Sequence, residues 1–165
     1  MRQVKARELD REAFLTYGTY HRMVDPKAEK IGDAPIEFFR DLVPVDLGSS
    51  ASASFSVCRV GRRPLVVDTL EYHDVCGEGI LPLDADVLIH VAPATLPGVI
   101  PLEKIEVFRV PRGTMVSIKA GVWHHAPYAL NTEVANVLIV LPERTYALDC
   151  EVCELEKKDQ VAIKV

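Results

Sequence analysis

The sequence predicts a mainly β protein, an antiparallel sandwich or barrel preceded by one short helix. Three observations carry this. From residue 51 onward the chain is a series of short runs rich in Val, Ile and Leu, among them FSVCRV, PLVVDTLEYH, ADVLIHVAP and VANVLIVLP. Turn-forming stretches separate them: GRRP, GEG, PLDAD, LPGVIP and PRG. No run between them is long enough for the crossover helix that a parallel sheet needs.

The elements follow in order. ELDREAFLTYG reads as a short helix, with Asp10 as N-cap and Gly18 as its stop. From Met23 to Pro35 the chain is polar and broken by Pro26, Gly32 and Pro35, so it reads as a loop. IEFFRDLV fits one helical turn or a strand, and its periodicity does not decide between them. The strand-rich part then runs through LEKIEVFRV and TMVSIKAG to VANVLIVLP, and the acidic CELEKKD reads as a solvated chain end. There is no internal repeat. The expected organisation is one domain over residues 1–165: helix, loop and lead-in over 1–50, barrel core over 51–145, and a C-terminal extension over 146–165.

Composition narrows the function classes. A chain of 165 residues with 48% hydrophobic and 26% charged residues is long enough for a core of its own. The formal charge of −5 argues against non-specific nucleic-acid binding, which needs clustered cations. No apolar stretch approaches the roughly 20 residues that span a bilayer, and the charged N-terminus lacks the apolar segment of a signal peptide. A cytoplasmic protein with no membrane or nucleic-acid partner is expected. The four cysteines do not make a disulfide framework. Cys150 and Cys153 form a lone C-x-x-C, expected to be reduced structural or surface thiols, and Cys76 is expected to be a bystander.

Two clusters carry chemistry. In TLEYHDVCGEGILPL, Glu71 and His73 are two apart and share one face of a strand. Glu78 would fall on the other face, but Gly77 and Gly79 beside it permit a bend or bulge that turns it inward. In SIKAGVWHH, His124 and His125 are adjacent, so simple alternation sends them to opposite faces. Carboxylates and imidazoles on short strands suit Zn²⁺, Mn²⁺, Fe²⁺, Ni²⁺ or Co²⁺. His90 in its apolar strand is expected to be a core or pocket-wall histidine.

These clusters resemble the paired motifs of the cupin superfamily, small jelly-roll (double-stranded β-helix) barrels. EYHDVCGE is similar to the first motif, with Glu71 where a histidine usually stands, then His73 and Glu78. KAGVWHH is similar to the second, P-x-G-x-x-H, with Lys119 in place of proline, and this alignment makes His124 the metal-facing histidine. A narrower resemblance, from about Leu9 to Leu130, is to the ureidoglycolate lyase family, carried by LDREAFLTYG, LEYHDVCGEGILPL, VLIHVAP and GVWHHAPYAL. Ile118, Lys119 and Ala120 stand where that family usually has Tyr-His-Arg, and Tyr72 and Asp74 depart from its E-R-H-P.

The resemblance implies a homodimeric, metal-dependent carbon–nitrogen lyase that releases urea and glyoxylate from ureidoglycolate. It implies a divalent metal on Glu71, His73, Glu78 and His124, with His125 and Glu71 as proton-transfer groups. Lys119, Trp123 and Tyr128 are the expected substrate contacts, Lys119 supplying a charge for a carboxylate. The alternatives are a sensory cupin that binds a small polar metabolite such as a sugar acid, or another metal-cupin enzyme, an isomerase or dioxygenase.

Overall fold

A computed structural model describes residues 1–165. Strand β1 (Arg2–Glu8) leads into a single helical turn, α1 (Arg11–Phe14), and then β2 (Gly18–Arg22). After an irregular stretch come β3 (Ala53–Gly61), β4 (Val66–Val67), β5 (Thr69–Tyr72), β6 (Glu78–Pro82) and β7 (Val87–Val91). A 3₁₀ turn at Leu102–Lys104 precedes β8 (Glu106–Val110), β9 (Thr114–Ile118), β10 (Tyr128–Ala129) and β11 (Val134–Pro142). The turn α2 (Thr145–Leu148), β12 (Glu151–Glu154) and β13 (Val161–Lys164) complete the chain. No helix is long and apolar enough to cross a membrane.

Two main sheets form, ordered β10-β7-β8-β1-β13-β4 and β2-β9-β6-β11-β3, with a small β12-β5 pair beside them. One apolar core lies between the main sheets. Ile80, Val116, Ile118, Val137 and Ile139 meet Val87, Ile89, Val91, Phe108 and Val110 across it. A second core covers the other face of the six-stranded sheet, with Leu88, Val107, Trp123, Tyr128, Val161 and Ile163. Because β7 is covered on both faces, VLIHV is apolar without alternation and all five of its residues are buried. In β11, by contrast, Ala135, Val137 and Ile139 point inward at alternate positions.

Several expectations are corrected here. Asp10 does cap α1, accepting from the Ala13 N–H at 3.0 Å, but the helix ends at Phe14 rather than at Gly18. Gly18 instead opens β2, where a Cβ would lie 1.8 Å from the Ser117 carbonyl oxygen. Glycine is there because two backbones approach closely, not to stop a helix. IEFFRDLV is neither helix nor strand and contributes only an isolated bridge between Ile31 and Phe38. The pairing is not wholly antiparallel either, because β1 lies parallel to both β8 and β13. Nor is the chain end merely solvated: β13 sits inside the six-stranded sheet with Val161 and Ile163 buried.

A candidate metal centre

Antiparallel neighbours point the same way, so register assigns the faces. Glu78 pairs with Ile118, a residue of the inner core, and therefore points into the barrel. Its neighbouring glycines do not bend the chain by left-handed conformations, since neither has a positive φ. The irregular turn from His73 to Cys76 resets the face before β6 begins. Gly77 and Gly79 are small for another reason. A Cβ at Gly77 would come within 2.5 Å of the Ile118 oxygen, and one at Gly79 within 2.5 Å of Met115 Cε. Gly121 does need its freedom: its φ is +75°, and its N–H donates to the His73 carbonyl at 2.7 Å.

His124 enters through a short exchange of backbone bonds with Glu71, N–H to O in both directions at 2.6 and 2.8 Å. Alternation then separates two sets. Tyr72 and Trp123 stack edge to face at 4.6 Å in the second core, while Glu71, His73 and His124 take the opposite side. His73, Glu78 and His124 converge there, 1%, 6% and 2% exposed. One ligand atom from each lies within 4.8 Å of the others.

The hydrogen bonds fix how this triad presents itself. His73 Nδ1 lies 2.6 Å from the Asp149 carbonyl oxygen and His124 Nδ1 lies 2.8 Å from that of Val122. A carbonyl can only accept, so each Nδ1–H donates and each Nε2 is left with a lone pair. Both Nε2 atoms face the same oxygen, Glu78 Oε2, at 3.0 Å from His73 and 3.3 Å from His124. Two lone pairs against a carboxylate repel unless a cation lies among them. Without a metal a proton does this. Burial works against a charged His124, but the Glu78 hydrogen bond and charge override it and raise its pKa. Burial likewise opposes a charged Glu78, yet hydrogen bonds from His124 and His73 draw its pKa down to about 2. The same geometry fits a divalent ion: two imidazole Nε2 atoms with Nδ1 anchored on carbonyls, and one carboxylate oxygen. Three protein ligands leave coordination positions open for water or substrate.

The other expected site residues lie elsewhere. Glu71 shares the face of His124, but its carboxylate is not one of the three converging groups and accepts instead from the Cys150 thiol at 3.7 Å. Lys119 follows inward-facing Ile118 and so points away; its Nζ donates to the Leu15 carbonyl at 2.5 Å. Trp123 Nε1 donates to Thr95 Oγ1 at 2.8 Å, and the Tyr128 hydroxyl donates to the Val66 carbonyl at 2.6 Å. Both rings belong to the second core. His125 is half-buried, and burial followed by the charges of Arg63 and His124 lowers its pKa against the opposing pull of Glu71. His90 is fully buried; its Nε2 bonds the Thr69 carbonyl and its Nδ1 has no partner. Cys76 is buried and pushed up to about 12, by burial and then by Asp149, which makes it an unreactive thiol.

Sequence reasoning missed a set of residues that border the triad. Tyr146 on α2 sets its ring edge-on to His73 with 6.4 Å between centroids. Asp149 and Cys150 follow in the same segment. None belongs to a motif, and only the fold of the tail brings residues 145–150 here.

A curled β fold with a buried His-Glu-His group inside it defines a cupin with a candidate metal site. A sequence model described as ureidoglycolate lyase matches residues 1–163, and the chain belongs to that family. We find no curated protein that matches the sequence. Among solved structures it is similar to oxalate decarboxylase from Bacillus subtilis, at 14% identity and a TM-score of 0.43, covering 62% of this chain and 24% of that one. The chain thus spans about a quarter of the length of that relative. It is also similar to a dTDP sugar isomerase from Desulfovibrio desulfuricans G20, at 12% identity and a TM-score of 0.49, covering 86% and 87% of the two chains. The 3,4-ketoisomerase QdtA from Thermoanaerobacterium thermosaccharolyticum matches at 10% identity and a TM-score of 0.45, over 81% and 85%.

Proposed function

We propose that the protein is a metal-dependent carbon–nitrogen lyase that releases urea and glyoxylate from ureidoglycolate or acts on a related small hydroxy acid. The observation that carries this reading is the convergence of His73, Glu78 and His124 in a chain that the ureidoglycolate lyase family spans almost end to end. Those three residues would hold the ion, their Nε2 and carboxylate atoms already aimed at one point. A divalent metal bound there supplies Lewis-acid polarisation of the substrate hydroxyl and of a neighbouring carboxylate oxygen.

The chain's own groups do the rest. Glu71, which shares the face of His124, is the group proposed to accept the proton of the substrate hydroxyl. As the hydroxyl carbon becomes the aldehyde of glyoxylate, its bond to nitrogen breaks and the departing urea nitrogen takes up one proton. His125 and Glu71 are the groups proposed to hold and move that proton, with gains typically on the order of 10²–10⁴-fold. A cytoplasmic homodimer is part of the same reading, and β3 supports it: this edge strand leaves Phe55 and Val57 exposed.

The test is to incubate the metal-loaded protein with ureidoglycolate and follow glyoxylate. Turnover that disappears with a chelator and returns with the metal is expected. Absence of turnover in protein that retains its metal would overturn the lyase reading and favour a sensory cupin.

A further inference from the structure

We propose that Asp149, which lies outside both sequence motifs, is the positioning residue of the metal triad. It holds four consecutive residues at once. Its carbonyl oxygen accepts from His73 Nδ1 at 2.6 Å. Its carboxylate accepts from the Asp74 N–H at 2.7 Å, from the Val75 N–H at 3.1 Å and from the Cys76 thiol at 3.4 Å. Residues 73–76 are the irregular turn that carries His73 into line with Glu78, and they have no strand ladder of their own. A carboxylate that satisfies two adjacent backbone donors fixes such a turn much as a cap fixes a helix end.

The clasp is itself anchored. The Asp149 N–H donates to the Thr145 carbonyl at 2.8 Å, and Thr145 Oγ1 donates to the Pro142 carbonyl at 2.8 Å at the end of β11. The next residue, Cys150, reaches Glu71. The tail is therefore tied both to the barrel and to the triad. With the carbonyl of Asp149 in place, His73 keeps its proton on Nδ1 and offers Nε2 to the metal. Loss of the carboxylate frees the turn, and with it the orientation of that ring. Groups that fix a ligating histidine in this way typically contribute 10–100-fold in metal affinity.

This inference rests on the metal reading of the triad, so its test carries two readouts. Mn²⁺ or Zn²⁺ affinity is measured by calorimetry on the full chain and on Asp149→Ala and Asp149→Asn. The His73 tautomer is read independently by ¹⁵N NMR of the metal-free proteins. Asp149→Ala should bind metal 10–100-fold more weakly and show a mixture of His73 tautomers. Asp149→Asn, whose one amide oxygen still accepts from the Asp74 N–H and at longer range from the Val75 N–H, should lose clearly less affinity than Asp149→Ala and largely keep the Nδ1–H form. If Asp149→Ala does not fold, Asp149→Glu replaces it; its displaced carboxylate should weaken binding and mix the tautomers. An Ala or Glu variant with parental affinity and a single Nδ1–H tautomer would overturn the inference. So would equal losses in the Ala and Asn variants. A parent chain that binds no metal overturns the triad reading instead, and the tautomer comparison still decides the role of Asp149.

Discussion

Replacing Glu78 by Gln tests the charge logic of the triad in the metal-free protein. In the parent, Glu78 faces His124 and His73, and its pKa is held at about 2 against an ordinary 4.5. That difference corresponds to about 3 kcal/mol of stability. The sign follows from the depressed carboxylate. Its contribution is complete above pH 4.5 and is lost as pH falls towards 2. His124 has the opposite sense, its pKa being raised, so its contribution is present below the ordinary histidine value and fades as pH rises through the folded one. His90, held at about 3 by burial, and His125, whose pKa burial also lowers, draw stability from parent and variant alike as pH falls, so the parent curve is the baseline against which the variant is read. In Glu78→Gln the partner charge is gone, and His124, 2% exposed, must be neutral to stay buried. The unfolded chain then binds a proton that the folded one refuses. Beyond that shared decline, the variant loses about 1.4 kcal/mol per pH unit below pH 6.5, or about 2 kcal/mol between pH 8 and pH 5. Urea unfolding in the presence of a chelator at pH 8, 6.5 and 5 measures this. Parallel pH curves for the two proteins would refute the pairing of Glu78 with the histidines. Saturating divalent metal, at about 100 times its Kd, should add about 2.7 kcal/mol to the parent.

Three further outcomes follow from named contacts. His124→Ala should abolish metal binding in a calorimetric titration while His125→Ala retains it; equal loss in both would reverse the assignment of the two rings. Gly18→Ala places a Cβ 1.8 Å from the Ser117 oxygen and should lower the melting temperature by about 10 °C through the β2–β9 pairing, whereas a shift below about 2 °C would mean the strands are not so close. Ile163→Ala should cost about 2–5 kcal/mol in chemical unfolding, and a cost under about 0.5 kcal/mol would return the chain end to solvent.

The parts of the fold that were legible are those whose apolar pattern is local. The strands around FSVCRV, VLIHV, EVFRV, TMVSI and VANVLIVLP form where Val and Ile cluster between turns. The strands β1 and β13 were not legible, for a physical reason. In β1 half-buried Val4 and Ala6 alternate with exposed Gln3, Lys5 and Arg7, so charge density masks a period of two. In β13 only Val161 and Ile163 are apolar and buried, too short a run to stand out beside CELEKKD. Each gains its neighbours from the opposite end of the chain. The candidate site divides in the same way. Glu78 opens β6, His73 directly follows β5 and His124 sits in an isolated bridge, all three inside the two motifs whose spacing can be read. The partner of Glu71 comes from Cys150 and that of His73 from Asp149, and no spacing within the motifs encodes either.

The adjacent histidines show how register, rather than residue type, selects which ring joins Glu78 and His73. Just beyond β7, Ala92 pairs with Trp123, and on β7 Leu88 pairs with Tyr128. Four steps on that side (92 to 88) therefore face five steps on the other strand (123 to 128). One residue is extra, so the segment between Trp123 and Tyr128 bulges. His124 still makes both backbone bonds to Glu71, so its ring direction is fixed by the sheet before the bulge can disturb it. His125 lies in the bulge with no regular partner, beside the buried His90 whose pKa it helps to depress. A ligand must be held to within a few tenths of an ångström, and only the first of the two rings stands on a backbone paired on both edges. The second, the ring proposed above to move a proton, stands outside that pairing.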